Sequence, residues 1–202
     1  MGFPDFSCET AAFASGHTLV CGIDEAGRGP WAGPVVAAAV ILDPRNIPAG
    51  LDDSKKLSEH RREALYDPIR RSARVAIGVA GVDRIDRDNI LAATLWAMGE
   101  AVRQLGDVSL ALVDGTRAPA LPCEVRTIIG GDAKSLSIAA ASIIAKVTRD
   151  RLMVDLDRAF PAYGFARHKG YGTAFHNLAL QRHGPCPQHR RSFAPVAALL
   201  SR

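Results

Sequence analysis

The chain has 202 residues, 48% of them hydrophobic and 6% aromatic, with a formal net charge of +4. That is enough apolar material for one buried core and excludes a disordered chain. No stretch approaches the roughly 20 apolar residues that would span a bilayer, and no basic region followed by an apolar run opens the sequence. A cytoplasmic protein without a membrane segment is therefore expected. The charge is unevenly spread, with ten Lys/Arg against three Asp/Glu from Ile144 onward and a net negative balance before it. Such a basic region fits a partner rich in phosphate, although a solvated basic face would look the same. Cys8, Cys21, Cys123 and Cys186 show no paired CxxC spacing, so neither a zinc site nor a disulfide framework is indicated.

Residues 1–17 lack clear periodicity and are expected to form an irregular or short helical lead-in to a single catalytic domain spanning 1–202. Leu19-Val20-Cys21-Gly22-Ile23 reads as a strand that ends at Asp24-Glu25 and the turn Ala26-Gly27-Arg28-Gly29-Pro30. Val35 to Leu42 and Arg74 to Val82 are β-branched runs of strand length, which makes an antiparallel meander of three strands. Between them, Ser58 to about Ala73 is helical in composition with Ser58 as N-cap, and Pro68 predicts a kink or a split. Asp86 to Gln104 carries apolar residues at helical spacing and stops at Gly106. Leu110 to Val113 and Val125 to Ile129 give strands four and five, ending at Asp114-Gly115 and Gly130-Gly131-Asp132. A long helix from Ser135 to about Phe160 and a last one over Ala174 to His183 complete an α/β chain with a mixed five-stranded central sheet flanked by helices.

The informative regularity is the placing of acids. Asp24 with Glu25, then Asp114, then Asp132 each follow an apolar strand and precede glycine or a glycine-rich turn. Singly, Asp before Gly is a common turn signal. Recurrence at three strand ends points instead to carboxylates gathered at one end of a sheet, where mutual repulsion favours binding Mg²⁺ or Mn²⁺. An all-oxygen site of this kind can activate water for in-line displacement at a phosphodiester. Adjacent strand residues point to opposite faces, so either the strand has ended at Asp24 or Glu25 contributes partly through its backbone carbonyl.

Several motifs, in one order from Val20 to Val196, closely resemble the ribonuclease HII family. They are Cys21 to Pro30, Asp53-Ser54-Lys55-Lys56-Leu57, Val113-Asp114-Gly115, Gly131-Asp132 with Ala139 to Asp150, His168-Lys169-Gly170-Tyr171, and His189-Arg190-Arg191-Ser192-Phe193. The resemblance implies a ribonuclease H-like fold in which Asp24, Glu25, Asp114 and Asp132 are the catalytic, metal-binding acids. It implies an RNA–DNA hybrid or a DNA duplex with embedded ribonucleotides as partner, and it places Gly27, Arg28, Gly29 and Tyr171 at the ribose 2′-hydroxyl. Glycines allow close backbone approach, and the 2′-hydroxyl is what distinguishes RNA from DNA. Lys55, Lys56, Lys146, Arg149 and Lys169 are candidate phosphate contacts. Longer members of the family carry a C-terminal extension; tethering through such a tail is not expected here, and neither is an obligate partner subunit.

Two other classes use some of the same residues. A non-catalytic module could grip phosphate with Gly27-Arg28-Gly29, but it leaves three strand-end acids unexplained and lacks a Walker or GxGxxG pattern. A metal-dependent phosphatase for small esters would use the acids and not need the basic C-terminal region. His183, Cys186 and His189 have a His-x₂-Cys-x₂-His spacing, yet Pro185 and Pro187 interrupt it and a fourth ligand is missing, so loop histidines are expected rather than zinc.

Overall fold

The computed structural model describes residues 2–200. Strands β1 (Val20–Ala26), β2 (Val35–Leu42), β3 (Ala73–Ala80), β4 (Leu110–Asp114) and β5 (Glu124–Ile128) form one mixed sheet in the order β3-β2-β1-β4-β5. The expected meander is present, since β1–β2 and β2–β3 pair antiparallel, while β1–β4 and β4–β5 pair parallel. Central strand β2 is apolar on both sides because both faces are covered. One face packs on α4 (Ile90–Leu105), where Cys21, Ile23, Ala37 and Val113 meet Ala97, Met98 and Ala101. The other packs on α2 (Glu59–Ser72) and α5 (Leu136–Ala159), where Ala38 and Val40 meet Ile69, Ala140 and Ile143.

Helix α5 lies very close to β1. The approach requires Gly22, because a Cβ there would overlap the main chain of Ser137 and Ile138. Ser135 caps the helix by accepting from the Ile138 amide, and buried Glu9 of α1 (Ser7–Ala14) accepts from the Ser135 hydroxyl and the Ser137 amide. The lead-in is therefore not loose: Ser7–Ala14 is a helix pinned to the start of α5.

Three expectations need correction. Pro68 does not split its helix, for α2 runs unbroken from Glu59 to Ser72 with the proline inside. Leu65 and Tyr66 before it and Ile69 after it are all buried against the sheet and α5, so tertiary packing on both sides outweighs the lost amide. The helix expected over Asp86–Gln104 is two, α3 (Val82–Asp88) and α4, divided at Asn89 with φ 68°. The Asn89 side chain accepts from the Leu91 and Ala92 amides and so starts the second helix. Val82, expected at the end of β3, instead opens α3.

Residues from Pro161 onward form two short turns of helix, α6 (Phe165–His168) being one, then α7 (Ala174–His183) and α8 (Ala194–Leu200). Their apolar side chains cluster with Ala32 and Met153. This segment grips residues 27–34, since Trp31 N donates to Gly170 O (2.8 Å), Gly33 N to Gln188 O (2.8 Å) and Arg190 N to Trp31 O (2.8 Å). No helix among the described residues is long and apolar enough to cross a membrane.

Gly22→Ala should destabilise the protein by about 3 kcal/mol or more, lowering Tm by at least about 6 °C, because neither strand nor helix backbone can yield cheaply. Gly99→Ala, in the middle of α4 with only Pro119 nearby, should leave Tm unchanged or raise it slightly. Equal Tm values for the two variants in a calorimetric comparison would refute the close-approach account.

Candidate active site

Parallel pairing of β1 with β4 builds the site. The register matches Ile23 with Val113, so Asp24 and Asp114 are the next residues of two neighbouring strands and share the α5 face of the sheet. Asp132 arrives from the turn after β5, where Gly130 adopts φ 62° and Gly131 N donates to Asp114 (2.7 Å). One carboxylate oxygen from each of Asp24, Asp114 and Asp132 lies within 4.8 Å of the others. Asp24 and Asp132 are buried.

Glu25 stands apart from this trio. β1 continues through Ala26, so strand alternation sends Glu25 to the α4 face, where its carboxylate pairs with Arg28 at 3.2 Å. It still lines the same cavity, because both residues sit at the end of the sheet. Of the two alternatives for these adjacent acids, that the strand has already ended is excluded: both are strand residues, and the sheet edge brings them to one opening.

Burial raises the Asp24 pKa well above the ordinary carboxylate range, with Glu25 and Asp114 adding to the effect. Burial also raises Glu25, opposed by Arg28, and raises Asp114, opposed by the Gly131 amide. Lys55 Nζ sits 2.9 Å from Asp132 and 3.8 Å from Asp53, the one lysine that reaches the trio. Oxygen-only donors on rigid strand ends, with more negative charge than the lone ammonium balances, fit a hard divalent cation.

The cavity around them, about 270 Å³, is lined by Asp24, Glu25, residues 26–29, Ser54, Lys55, Asp114, Ser142, Lys146, Arg149 and Tyr171. Lys146 is held by Asp150 at 2.7 Å. Tyr171 is 47% exposed, and its ring edge lies 3.6 Å from where a Cβ on Gly29 would stand. Lys56 and Lys169 are outside the lining, the first paired with Asp52 and the second bonding Ala166 O at 2.6 Å. Arg149 is not the surface phosphate contact expected of it. It is 1% exposed, and its guanidinium donates to Pro34 O, Lys169 O and Ala32 O.

Arg190, which sequence reasoning placed in a motif without a role, matches it. It is fully buried and donates to Gly33 O, Arg28 O and Gly27 O at 2.9, 2.9 and 2.6 Å. Two buried guanidiniums thus hold the carbonyls of Gly27, Arg28, Ala32, Gly33 and Pro34 inward. Gly27, at φ 98°, is required because a Cβ there would overlap the Arg149 side chain. Ser54 and Ser142 were also missed; they bond each other at 2.6 Å in the cavity wall. The spacing of Ser142, Lys146 and Arg149 along α5 places all three on one helix face, a signal that was legible.

A raised carboxylate pKa reverses the usual acid-stability sign. Between the unfolded value and the higher folded one, the native state holds a proton that the unfolded chain has lost, so stability falls as pH rises. Asp24→Asn removes this cost. In EDTA the variant should be more stable than the parent at pH 7 by about 1 kcal/mol or more, or about 2–4 °C in Tm, and the gap should close toward pH 4. A parent that is the more stable at pH 7 would show that Asp24 is favourably paired instead.

The Ribonuclease HII family model matches residues 21–196. The ribonuclease HII of Azorhizobium caulinodans is 63% identical over 194 residues, covering 96% of this chain and 75% of that one. Among solved structures, the ribonuclease HII of Archaeoglobus fulgidus, determined in complex with PCNA, has 30% identity and a TM-score of 0.70, covering 82% of this chain and 88% of its own. Bst-RNase HIII in complex with Mn²⁺ shares the fold at a TM-score of 0.75 with 19% identity, covering 91% of this chain and 69% of its own. With a ribonuclease H-like sheet carrying acids at its end and a family match that takes in both, the chain belongs to the ribonuclease HII family of metal-dependent endoribonucleases, which act on RNA–DNA hybrids.

Proposed function

We propose that this chain cuts the RNA strand of RNA–DNA hybrids and also cuts 5′ to single ribonucleotides embedded in duplex DNA, with Asp24, Asp114 and Asp132 as metal ligands and Glu25 as a fourth acid at the same opening. The observation that carries it is the convergence of three carboxylates within 4.8 Å at the end of the sheet, beside a glycine turn. A Mg²⁺ or Mn²⁺ ion held there would lower the pKa of a water and offset charge on the phosphate. Attack of the water oxygen on phosphorus breaks the bond to the 3′-oxygen, which leaves as a hydroxyl, and the phosphate stays on the ribonucleotide.

The remaining residues select and orient. Gly27, Arg28 and Gly29 present a backbone whose first two carbonyls are turned inward by Arg190, leaving the loop surface to approach a ribose closely. Tyr171, beside Gly29 in the cavity lining, offers a ring to stack on the sugar and a hydroxyl to bond it. Lys55 and Lys146 in the lining would meet phosphates, whereas Lys56, with its ammonium toward Asp52 outside the lining, would act on the flanking backbone; Lys169 shapes the loop before Tyr171. We take it to act as a monomer, and four free cysteines among the described residues suit a reducing cytoplasm. The Archaeoglobus relative was solved with PCNA; nothing in the cavity here requires a partner.

A labelled DNA duplex with one ribonucleotide should be cut 5′ to it with Mg²⁺ or Mn²⁺ and left intact with EDTA, and an all-DNA duplex should survive both. Asp114→Asn should lower the rate at least about a hundredfold while keeping the fold, since it removes charge with little change of shape. Equal duplex binding with and without Mg²⁺ and no cutting would favour a binding module, and hydrolysis of a small phosphate ester but not of a hybrid would favour a phosphatase.

A further inference from the structure

Outside the acid site, His168, His176 and His189 form a buried cluster, at 8%, 0% and 1% exposure. His168 stacks on His176 (4.4 Å, 16°), Phe165 meets both edge-on, and Tyr163 packs against His189 at 4.8 Å. None of their ring nitrogens bonds a carboxylate among the described residues. Burial lowers the pKa of His168 and His176 and takes His189 down to about 4, so all three rings are neutral at pH 7.

The hydrogen bonds then fix every proton. An amide can only donate, so Cys186 N at 3.0 Å makes His189 Nδ1 an acceptor and puts the His189 proton on Nε2. That Nε2 lies 3.0 Å from His176 Nε2, which must accept. The His176 proton is therefore on Nδ1, where it is donated to Tyr171 O at 2.9 Å. His168 is set in the same way, accepting from Gly170 N and donating to Tyr163 O. No ring nitrogen is left for a metal ion, and His189, on the irregular segment after α7 as expected of a loop histidine, is buried there.

The chain of bonds ends at a residue that needs it. Lys169 (φ 51°) and Gly170 (φ 81°) precede Tyr171 in left-handed conformations, the first unfavourable for a residue with a Cβ. The Tyr171 carbonyl accepts from Thr173 N and from His176, the single side chain among the described residues that bonds it. We propose that His189 and His176 form a directional relay, from the Cys186 amide to the Tyr171 carbonyl, that positions Tyr171 for its contact with the substrate ribose. The two histidines are positioning residues, acting through Tyr171, and the inference rests on the reading of Tyr171 given above. His189 is also chain neighbour to Arg190, so one short segment orders both sides of the ribose pocket, Tyr171 through the relay and Gly27-Arg28 through the guanidinium.

Two measurements on the full chain test this. Long-range ¹⁵N–¹H spectra at pH 7 should show the Nε2–H tautomer for His168 and His189 and the rarer Nδ1–H tautomer for His176; an Nε2–H or charged His176 overturns the relay, whatever any variant does. Cleavage of the single-ribonucleotide duplex should fall about tenfold or more in kcat/KM for His176→Phe and recover largely in His176→Asn, whose amide can replace the Nδ1–H donor. In a Tyr171→Ala background the same His176→Phe change should cost less than about twofold. Additive losses overturn the relay while leaving Tyr171 as a substrate contact. A Tyr171→Ala enzyme that cuts at the parental rate instead removes the substrate contact itself, and the positioning role falls with it. If His176→Phe does not fold, the tautomers and the His176→Asn rate still decide.

Discussion

Three carboxylates within 4.8 Å of one another repel. At an effective dielectric of about 20, each fully ionised pair at that separation costs of the order of 3 kcal/mol, a large part of the stability a domain of this size holds. The surrounding structure is what resists that repulsion. β1 and β4 are central, parallel and buried, and α5 is driven against β1 at Gly22, so Asp24 and Asp114 cannot move apart without opening the sheet. Lys55 relieves Asp132 only in part, since it is largely solvent-exposed and its interaction is screened. The residual repulsion is the energy a divalent cation recovers on binding.

A second electrostatic arrangement lies under the glycine turn and has the opposite sign. Arg149 and Arg190 are buried without a carboxylate ion pair among the described residues, an expensive state that three hydrogen bonds each to main-chain carbonyls make tolerable. The carbonyls they hold belong to residues 27–34 and Lys169. A loop with its carbonyls facing inward toward cations presents less negative charge outward, which suits the approach of a phosphodiester. Acids for chemistry and cations for shaping are thereby kept on separate supports, the first on strand ends and the second behind a loop.

Much of this was legible in the sequence, and the reason is local. β-branched runs ending in acid and glycine mark strand ends wherever they occur, so all five strands, the mixed sheet and the three acids could be read from pattern alone. Pairwise packing could not. Pro68 argues against a continuous helix until Leu65, Tyr66 and Ile69 are seen buried together, and Asn89 divides a periodic stretch because its side chain caps the following helix. Arg149 looks like a phosphate contact in a basic segment and becomes a buried brace only once α5 is docked beside residues 32–34. The histidine cluster is similarly invisible, because His168, His176 and His189 have no periodic relation and meet through the fold of α6, α7 and the segment after Pro185.

These separate supports bear on how the site can be selective. Carboxylates and a metal ion act on any phosphodiester brought in line, DNA included, so they carry no preference for ribose. Discrimination must come from groups that sense the 2′-hydroxyl, and in the proposed reading their precision would depend on how tightly Gly27–Gly29 and Tyr171 are held. Both lie on irregular backbone, which by itself is the most mobile part of a protein. Here each is tied to buried side chains from distant segments, the turn through Arg190 and the tyrosine carbonyl through His176. On that reading, rigid strands would supply the reactivity while the braced loops would decide which sugar is admitted to it.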